Sequence, residues 1–228
     1  QYKKEIGLPF SCIANPHYVN RKLVNEFKSA GCIFAQIGVQ SLSEELCSKI
    51  LNRKSSNAEI AGAIKDFKEV GIMVQVDHML GILDDTLKLQ EENVLFYNRY
   101  RPNLISIFWL TYYPKTAIVE TAREKGILTE DDINSIEEGK GLSKKSILTG
   151  GSMKNTESYY SISLLLNYLP ILPRWLVNFL IYSHWYRIFK IKNYFISIAL
   201  PNVIQSIFNR KYFLGRSQII RFIDKTFL

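Results

Sequence analysis

Four short apolar runs, Leu8–Ala14, Ile33–Val39, Ile72–Leu80 and Leu104–Thr111, start 25 to 39 residues apart, and a helical pattern follows each of them. That spacing is too wide for hairpins and suits a strand, a crossover helix and the loops between them. The helical patterns are Arg21–Ala30, Glu44–Leu51 with Ala58–Val70, Thr86–Tyr100 and Ala117–Lys125. Gly31, Gly71 and Gly126 each stand at the end of a helix, where a left-handed residue is favoured. The strands are nearly continuous in apolar residues, as expected when both faces are covered. The pattern predicts an α/β fold: a partial parallel (βα) barrel over residues 1–128. Four units are half of an eightfold barrel or two thirds of a six-stranded one, so neither closes and an edge is left unpaired. The start at Gln1, without Met and directly before an apolar run, reads as the C-terminal part of a longer protein.

The remaining residues divide in two. Residues 129–157 are polar, with Glu130-Asp131-Asp132, Glu137-Glu138 and Gly150-Gly151, and read as a surface helix and linker. Residues 158–228 read as a basic, aromatic-rich α-helical extension. The charge is uneven: 155–228 hold nine basic and two acidic side chains and 16 of the 29 aromatics, whereas 1–154 hold 20 basic and 19 acidic. Pro170, Pro173 and Pro201 interrupt the apolar stretches of the tail, leaving none with the roughly 20 residues a spanning helix needs. Flanking Trp, Tyr, Lys and Arg fit a segment lying on a membrane surface. Packing against the barrel or a partner fits the same pattern, and both readings stand. The long apolar runs argue against a nucleic-acid groove, although the charge would permit one.

Cys12, Cys32 and Cys47 are odd in number, and no CxxC or CxxxCxxC occurs. This argues against a disulfide framework and against a local zinc or cluster site, and predicts core cysteines in a reduced, cytoplasmic protein, with a peripheral position on the membrane face as the variant.

Polar groups interrupt the apolar runs where a βα barrel keeps its ligand-binding groups, at the carboxyl ends of the strands. Gly38-Val39-Gln40-Ser41 puts an amide and a hydroxyl there; Ser41 or Ser43 also serves as a plain helix N-cap. Asn52-Arg53-Lys54 follows the next helical segment. Arg53 is comfortable near a helix C-terminus without any ligand, and its guanidinium also suits a carboxylate. Asp77-His78-Met79-Leu80-Gly81 breaks the third run, and Asp77 and His78 require partners if buried. His78 is either a satisfied core histidine or a group at the mouth. Trp109 to Thr116 ends the fourth, with Thr111 and Tyr112 facing the same mouth or simply capping it.

Taken in order over residues 5–128, Phe27–Cys32, Gly38–Ser41, Ser48–Lys54, Asp77–Thr86 and Leu110–Thr116 resemble the cofactor-binding half of the radical S-adenosylmethionine (SAM) superfamily. Within it, Asp77-His78 and Trp109–Thr116 are most similar to the group that carries a cobalamin-binding domain. The resemblance implies that Gln40 and Arg53 contact the ribose and methionyl carboxylate of SAM, with Ser41 beside them. It also implies that Asp77 and the Gly81 backbone contact its adenosine part. The cofactors it implies are SAM, a [4Fe–4S] cluster whose cysteines lie outside this chain, and cobalamin in that group. The chemistry it implies is radical modification or methylation of a substrate the sequence does not specify, with no catalytic residue assignable and no activity in this stretch alone. Two departures stand out: Leu83-Asp84-Asp85 replaces the usual Pro-Gly-Glu, and Lys115 replaces the usual Gly before Thr116. A non-catalytic barrel scaffold with a membrane-surface-binding tail, or a barrel enzyme without a cluster, are the competing readings.

Overall fold

The computed structural model describes residues 1–139, 156–191, 193 and 195–208. The Gly150-Gly151 pair and the sequence beyond residue 208 lie outside the described residues. After a short helix α1 (Tyr2–Glu5), strands β1 (Phe10–Ala14), β2 (Cys32–Gln40), β3 (Met73–Leu80) and β4 (Leu104–Trp109) form one sheet in the order β1-β2-β3-β4. All three pairings are parallel. The crossovers contain α2 (Arg21–Ala30), α3 (Glu44–Lys49) with α4 (Asn57–Glu69), and α5 (Leu87–Tyr100). The partial parallel (βα) barrel read from the spacing is what the chain forms.

Local chemistry sets the ends of the elements. The Asn20 side chain accepts from Leu23 N at 3.0 Å and starts α2, while Ser56 and Glu59 close a reciprocal capping box on α4. Gly31 ends α2 at φ +105°. β1 begins two residues later than the apolar run. β4 ends at Trp109, so Thr111 and Tyr112 lie beyond the ladder.

The alternation of the strands divides the sheet into two unlike faces. Ala35, Ile37, Val39, Val74, Val76 and Ile105 point to the helix layer and are buried with Ile64 and Phe67 of α4 and Val94 and Tyr97 of α5. Removing one such side chain, Phe67→Ala for example, would cost about 3–5 kcal/mol. The other face is half polar. In register across it lie Ile13–Gln36–Gln75–Leu104 and, one step up, Gly38–Asp77–Ser106. At its β1 edge Ile13 is 81% exposed.

Beyond β4, α6 (Ala117–Glu124) and α7 (Glu130–Glu137) bury Val119, Ala122, Ile133 and Ile136 against Leu83 and Leu110, forming a small second cluster at the carboxyl ends of the strands. The acidic residues of the expected surface helix are the outer side of α7. Helices α8 (Thr156–Tyr168) and α9 (Arg174–Tyr182) then return to the sheet. Tyr159, Ile162, Leu166, Val177 and Ile181 join the main core, and Tyr160 stacks near Trp109 with ring centroids 5.4 Å apart. The tail thus packs on α5 and β4. A short 3-10 turn (Trp185–Ile188), a π-helical turn (Phe195–Ala199) and α10 (Leu200–Phe208) complete the described chain. Among the described residues, no helix is long and apolar enough to cross a membrane.

Candidate functional site at the strand ends

Gly38 is the centre of the polar arrangement. It pairs with Asp77 across the β2–β3 ladder, and its carbonyl accepts from Arg53 Nη1 at 3.0 Å. A Cβ at Gly38 would stand 3.1 Å from Arg53 Nη1 and 3.2 Å from Gln40 Nε2. The guanidinium and the amide therefore meet over the one residue of β2 that has no side chain to fill the space. Two local distortions bring them there. The register shifts between Gly38 and Gln40, and Gln40 sits at φ +64°, an uncommon conformation for a residue with a side chain. Asn52, just before Arg53, is also left-handed at φ +49°. Backbone held off its usual minima at a cluster of polar groups is a pattern found at ligand sites.

Asp77 is buried and its carboxylate is clamped from two strands. Gln36 Nε2 donates to Oδ2 at 2.6 Å and Gln75 Nε2 to Oδ1 at 3.0 Å. Each oxygen accepts one hydrogen bond and keeps a lone pair for a further donor. Gln36 and Gln75 were not singled out from the sequence. They share the polar face with Gly38 and Asp77 through the two-residue period of their strands, and that periodicity was the signal available.

The other expected residues divide between this site and the structure around it. Ser41 is buried, and its hydroxyl accepts from Ser43 N at 3.1 Å, while Ser43 is the N-cap of α3. Ser41 therefore shapes the turn beside Gln40. Gly81 is buried at φ +76°, and its N–H donates to Asp85 Oδ2 at 3.2 Å, so that donor is already used within the turn. Thr111 is exposed, and its hydroxyl donates to Trp109 O at 3.3 Å. Tyr112 is packed in the second cluster with Leu110 and Val119, and burial pushes its hydroxyl up to about 12.

His78 departs from a position at the mouth. Strand alternation turns it away from Asp77 into the helix layer, where it is fully buried. Its Nδ1 lies 3.1 Å from Tyr97 Oη and its Nε2 2.8 Å from Gln90 Oε1. Gln90 Nε2 donates to Asp85 Oδ2 at 2.8 Å. With the amide oriented this way, His78 donates from Nε2 to Gln90 and accepts the Tyr97 hydroxyl proton at Nδ1. Desolvation lowers the His78 pKa from 6.5 to about 4, so the ring is neutral and structural. Desolvation also raises Asp85 from 3.8 to about 6, although Gln90, Gly81 and Thr86 favour its charged form. Asp85 as a residue is only half-buried, yet its Oδ1 is fully buried and has no hydrogen-bond partner among the described residues.

The two turns that depart from the expected pattern keep a glycine-like backbone. Asp84 stands at φ +64° and Lys115 at φ +59°. Lys125 Nζ lies 2.7 Å from Oδ2 of the exposed Asp84, and the Lys115 side chain is exposed while its backbone N–H donates to Glu137 Oε1 at 3.2 Å.

All three cysteines are free thiols. Cys32 and Cys47 are buried and Cys12 is half-buried; Cys12 and Cys32 face each other across β1 and β2 with their sulfurs 3.8 Å apart. Burial pushes the Cys12 thiol up to about 12, the opposite of a metal-ligating thiolate. Among the described residues, no group of three His, Cys, Asp or Glu side chains could hold a metal ion. The described residues therefore do not fit an iron–sulfur cluster. A groove of about 710 Å³ near α1 and α2, lined in part by Tyr2, Arg21 and Asn25, contains none of the strand-end groups.

The parallel βα sheet brings an amide, a guanidinium and a clamped carboxylate together at its strand ends, the end at which βα barrels keep their ligand-binding groups. Residues 1–93 match the model of the Radical SAM superfamily. Over 103 residues it is 29% identical to the heme chaperone HemW of Buchnera aphidicola subsp. Schizaphis graminum, an alignment covering 45% of this chain and 27% of that protein. Among solved structures, the radical SAM methyltransferase TsrM from Kitasatospora setae, with cobalamin and a [4Fe–4S] cluster bound, is similar at 17% identity and a TM-score of 0.47. That match covers 51% of this chain and 23% of TsrM. The coproporphyrinogen III oxidase HemN from Escherichia coli, a radical SAM enzyme, is similar at 16% identity and a TM-score of 0.46, covering 62% of this chain and 30% of HemN. The chain spans about a quarter of the length of the HemW relative.

Proposed function

We propose that residues 1–128 form the SAM-binding wall of a radical SAM enzyme whose cluster ligands lie outside the described residues, with 129–157 a connecting segment and 158–228 a helical extension. The observation that carries this reading is the convergence of Arg53, Gln40 and Asp77 around Gly38. The three groups match the polar parts of the cofactor. A guanidinium pairs with the methionyl carboxylate, an amide serves a ribose hydroxyl, and a carboxylate with free lone pairs takes hydrogen bonds from the adenosine part. Arg53 is complementary in charge to the carboxylate end of such a ligand, Asp77 is an acceptor for its neutral adenosine end, and Gly38 leaves room for the guanidinium and the amide to meet. SAM bound beside a reduced [4Fe–4S] cluster supplies the radical chemistry, while this chain's residues bind and orient it. Ser41 and Gly81 act in this reading through the turns they build. The substrate and the type of modification are not specified by these residues, and cobalamin is supported only as a ligand of TsrM.

The test is an amide NMR titration of the chain with SAM, which detects binding even when it is weak. Shifts concentrated at Gly38, Gln40, Arg53 and Asp77, abolished by Arg53→Ala and reduced by Asp77→Asn, are expected. A folded chain whose shifts fall elsewhere, or that gives none at millimolar SAM, would overturn the assignment.

A further inference from the structure

Helix α9 places unlike residues on its two sides. Inward, Val177 and Ile181 enter the core and are essentially buried. Outward, Trp175 is 69% and Tyr182 72% exposed, with Phe179 between them on the same stripe at i, i+4 and i+7. The turn that follows extends the stripe: Trp185 is 59% and Ile188 67% exposed, and Trp185 meets Phe179 edge-on with ring centroids 5.7 Å apart. Two of the chain's three tryptophans therefore face solvent within eleven residues. Single exposed apolar side chains need no explanation, but a contiguous aromatic patch marks an interaction surface.

The charges around the patch indicate what it meets. Residues 174–190 contain Arg174, Arg187, Lys190 and His184 and no acidic residue. Among the described residues, the acidic groups that face this stretch from the packed elements are Glu91 of α5, which takes Arg187 and His184, and Glu157 of α8, which pairs with Lys190 at 2.6 Å. Arg174 has no carboxylate partner in that set; its guanidinium donates to the Arg99 carbonyl at 3.4 Å. The sequence continues basic past residue 208, with Arg210, Lys211, Arg216, Arg221 and Lys225 against Asp224. Indole and phenol rings on a short helix, rimmed by cations, are the side chains that sit at the headgroup level of a bilayer. The inward use of aliphatics on the same helix shows that the aromatics are not a general preference of the segment. At nine residues α9 is too short to cross a bilayer and suited to lie along one.

We infer that the outward face of α9 and the turn after it, Trp175, Phe179, Tyr182, Trp185 and Ile188, docks on an anionic lipid surface. The sheet side of the molecule is held away from that surface, because α9 is fixed to α5 by its buried edge. This inference is independent of the cofactor assignment.

The experiment is flotation of the full chain with phosphatidylcholine vesicles with and without phosphatidylserine, at low and high salt. In a Trp109→Phe background, the emission of Trp175 and Trp185 is followed as well. Binding to the phosphatidylserine vesicles is expected, with a blue shift of the emission and weakening at high salt. A Trp175→Ser/Trp185→Ser double variant should bind at least tenfold more weakly. Arg174→Glu, which leaves the aromatic stripe intact, should weaken binding while retaining the wild-type Tm. Failure of the folded chain to float, or flotation unchanged in the double variant, would overturn the inference. So would a wild-type dimer that ignores vesicles and becomes a monomer in the double variant, which would make the patch a contact between copies.

Discussion

Gly38 matters because of what is not there. Filling its space with a branched side chain would drive Arg53 Nη1 and Gln40 Nε2 off the strand end, since even a single methyl carbon would come within 3.1 and 3.2 Å of them. Both are ends of flexible side chains that move without disturbing the core. Gly38→Val is therefore expected to keep the fold, with a loss of stability of about 1 kcal/mol or less, while reducing SAM affinity tenfold or more. Calorimetry of unfolding beside a SAM titration checks both halves. The sequence made Gln40, Arg53 and Asp77 visible because polar residues stood at the ends of apolar runs. It did not show which side of β3 His78 takes, because adjacent positions on a strand face opposite ways and a polar pair cannot both look into the mouth. Of the clamp, Gln75 stands two residues before Asp77 on the same strand and so was within reach of the period-2 pattern, whereas the Gln36 bond crosses from β2 and is visible only once the register is known.

The buried chain from Tyr97 through His78 and Gln90 to Asp85 holds two groups whose titrations oppose each other. His78 stays neutral in the fold down to about 4, against 6.5 when unfolded, so its contribution is full above 6.5 and is lost as pH falls toward 4. Asp85 titrates at about 6 instead of 3.8, so the fold favours its protonated form, and that contribution is lost as pH rises from 3.8 through 6. Between about 4 and 6 the two slopes have opposite sign and similar size. Asp85→Asn keeps an oxygen acceptor for Gly81 and Gln90 and removes one slope. The variant is expected to be about 1 kcal/mol more stable than wild type at pH 7.5 and to lose that advantage by pH 4. Urea unfolding at several pH values measures it; parallel curves for the two proteins would show that the carboxylate is not held uncharged.

At the scale of elements, strands and helices were legible because period-2 and period-3.6 patterns are local, and because Asn20, Ser56, Gly31 and Gly71 end their elements through local hydrogen bonding and backbone freedom. Element ends that depend on neighbours were less legible. β1 begins only where β2 offers a partner, and β4 stops where Leu110 turns into the second cluster. Asp84 and Lys115 show that a turn can keep its shape after its glycine is gone. Both residues sit left-handed with their side chains in solvent contact. A non-glycine residue there carries strain of about 1 kcal/mol, partly offset by the extra freedom glycine gives the unfolded chain. The Lys125–Asp84 pair is exposed and contributes little. Asp84→Gly and Lys115→Gly are each expected to stabilise the protein by about 0.5 kcal/mol, raising Tm by about one to two degrees. A drop in Tm for both would mean that the turns are held by side-chain contacts.

For the whole molecule, the composition of the tail did not decide between packing inward and meeting another surface; the structure shows one helix placing a different set of side chains on each side. The tail is fixed to the sheet by the apolar side chains it adds to the main core and by polar links across the core boundary, of which Glu91 gathers several on one oxygen. Its Oε1 accepts from Tyr186 Oη at 2.5 Å and from Arg187 at 2.8 Å, and lies 3.1 Å from His184 Nδ1. Burial alone would raise this carboxyl, but the hydrogen bonds from Tyr186 and Arg187 and the nearby His184 hold it below the usual range. A lowered carboxylate pKa gives stability that is present above the unfolded value and is lost as pH falls through the folded one. Glu91→Leu would leave the buried Tyr186 hydroxyl and the Arg187 guanidinium without their shared acceptor, at a cost of about 1–3 kcal/mol. Glu91→Gln retains an oxygen and should lose less. Because Glu91 touches only residues of the tail on that side, the loss should appear there first. Hydrogen exchange is expected to rise across residues 174–190 in Glu91→Leu while β2 and β3 keep their protection. If protection falls evenly over the sheet and the tail, the two unfold as one cooperative unit and Glu91 is one contact among many. If it falls in the tail alone, the strand-end site and the aromatic face of α9 sit on parts of the molecule that are separately stable.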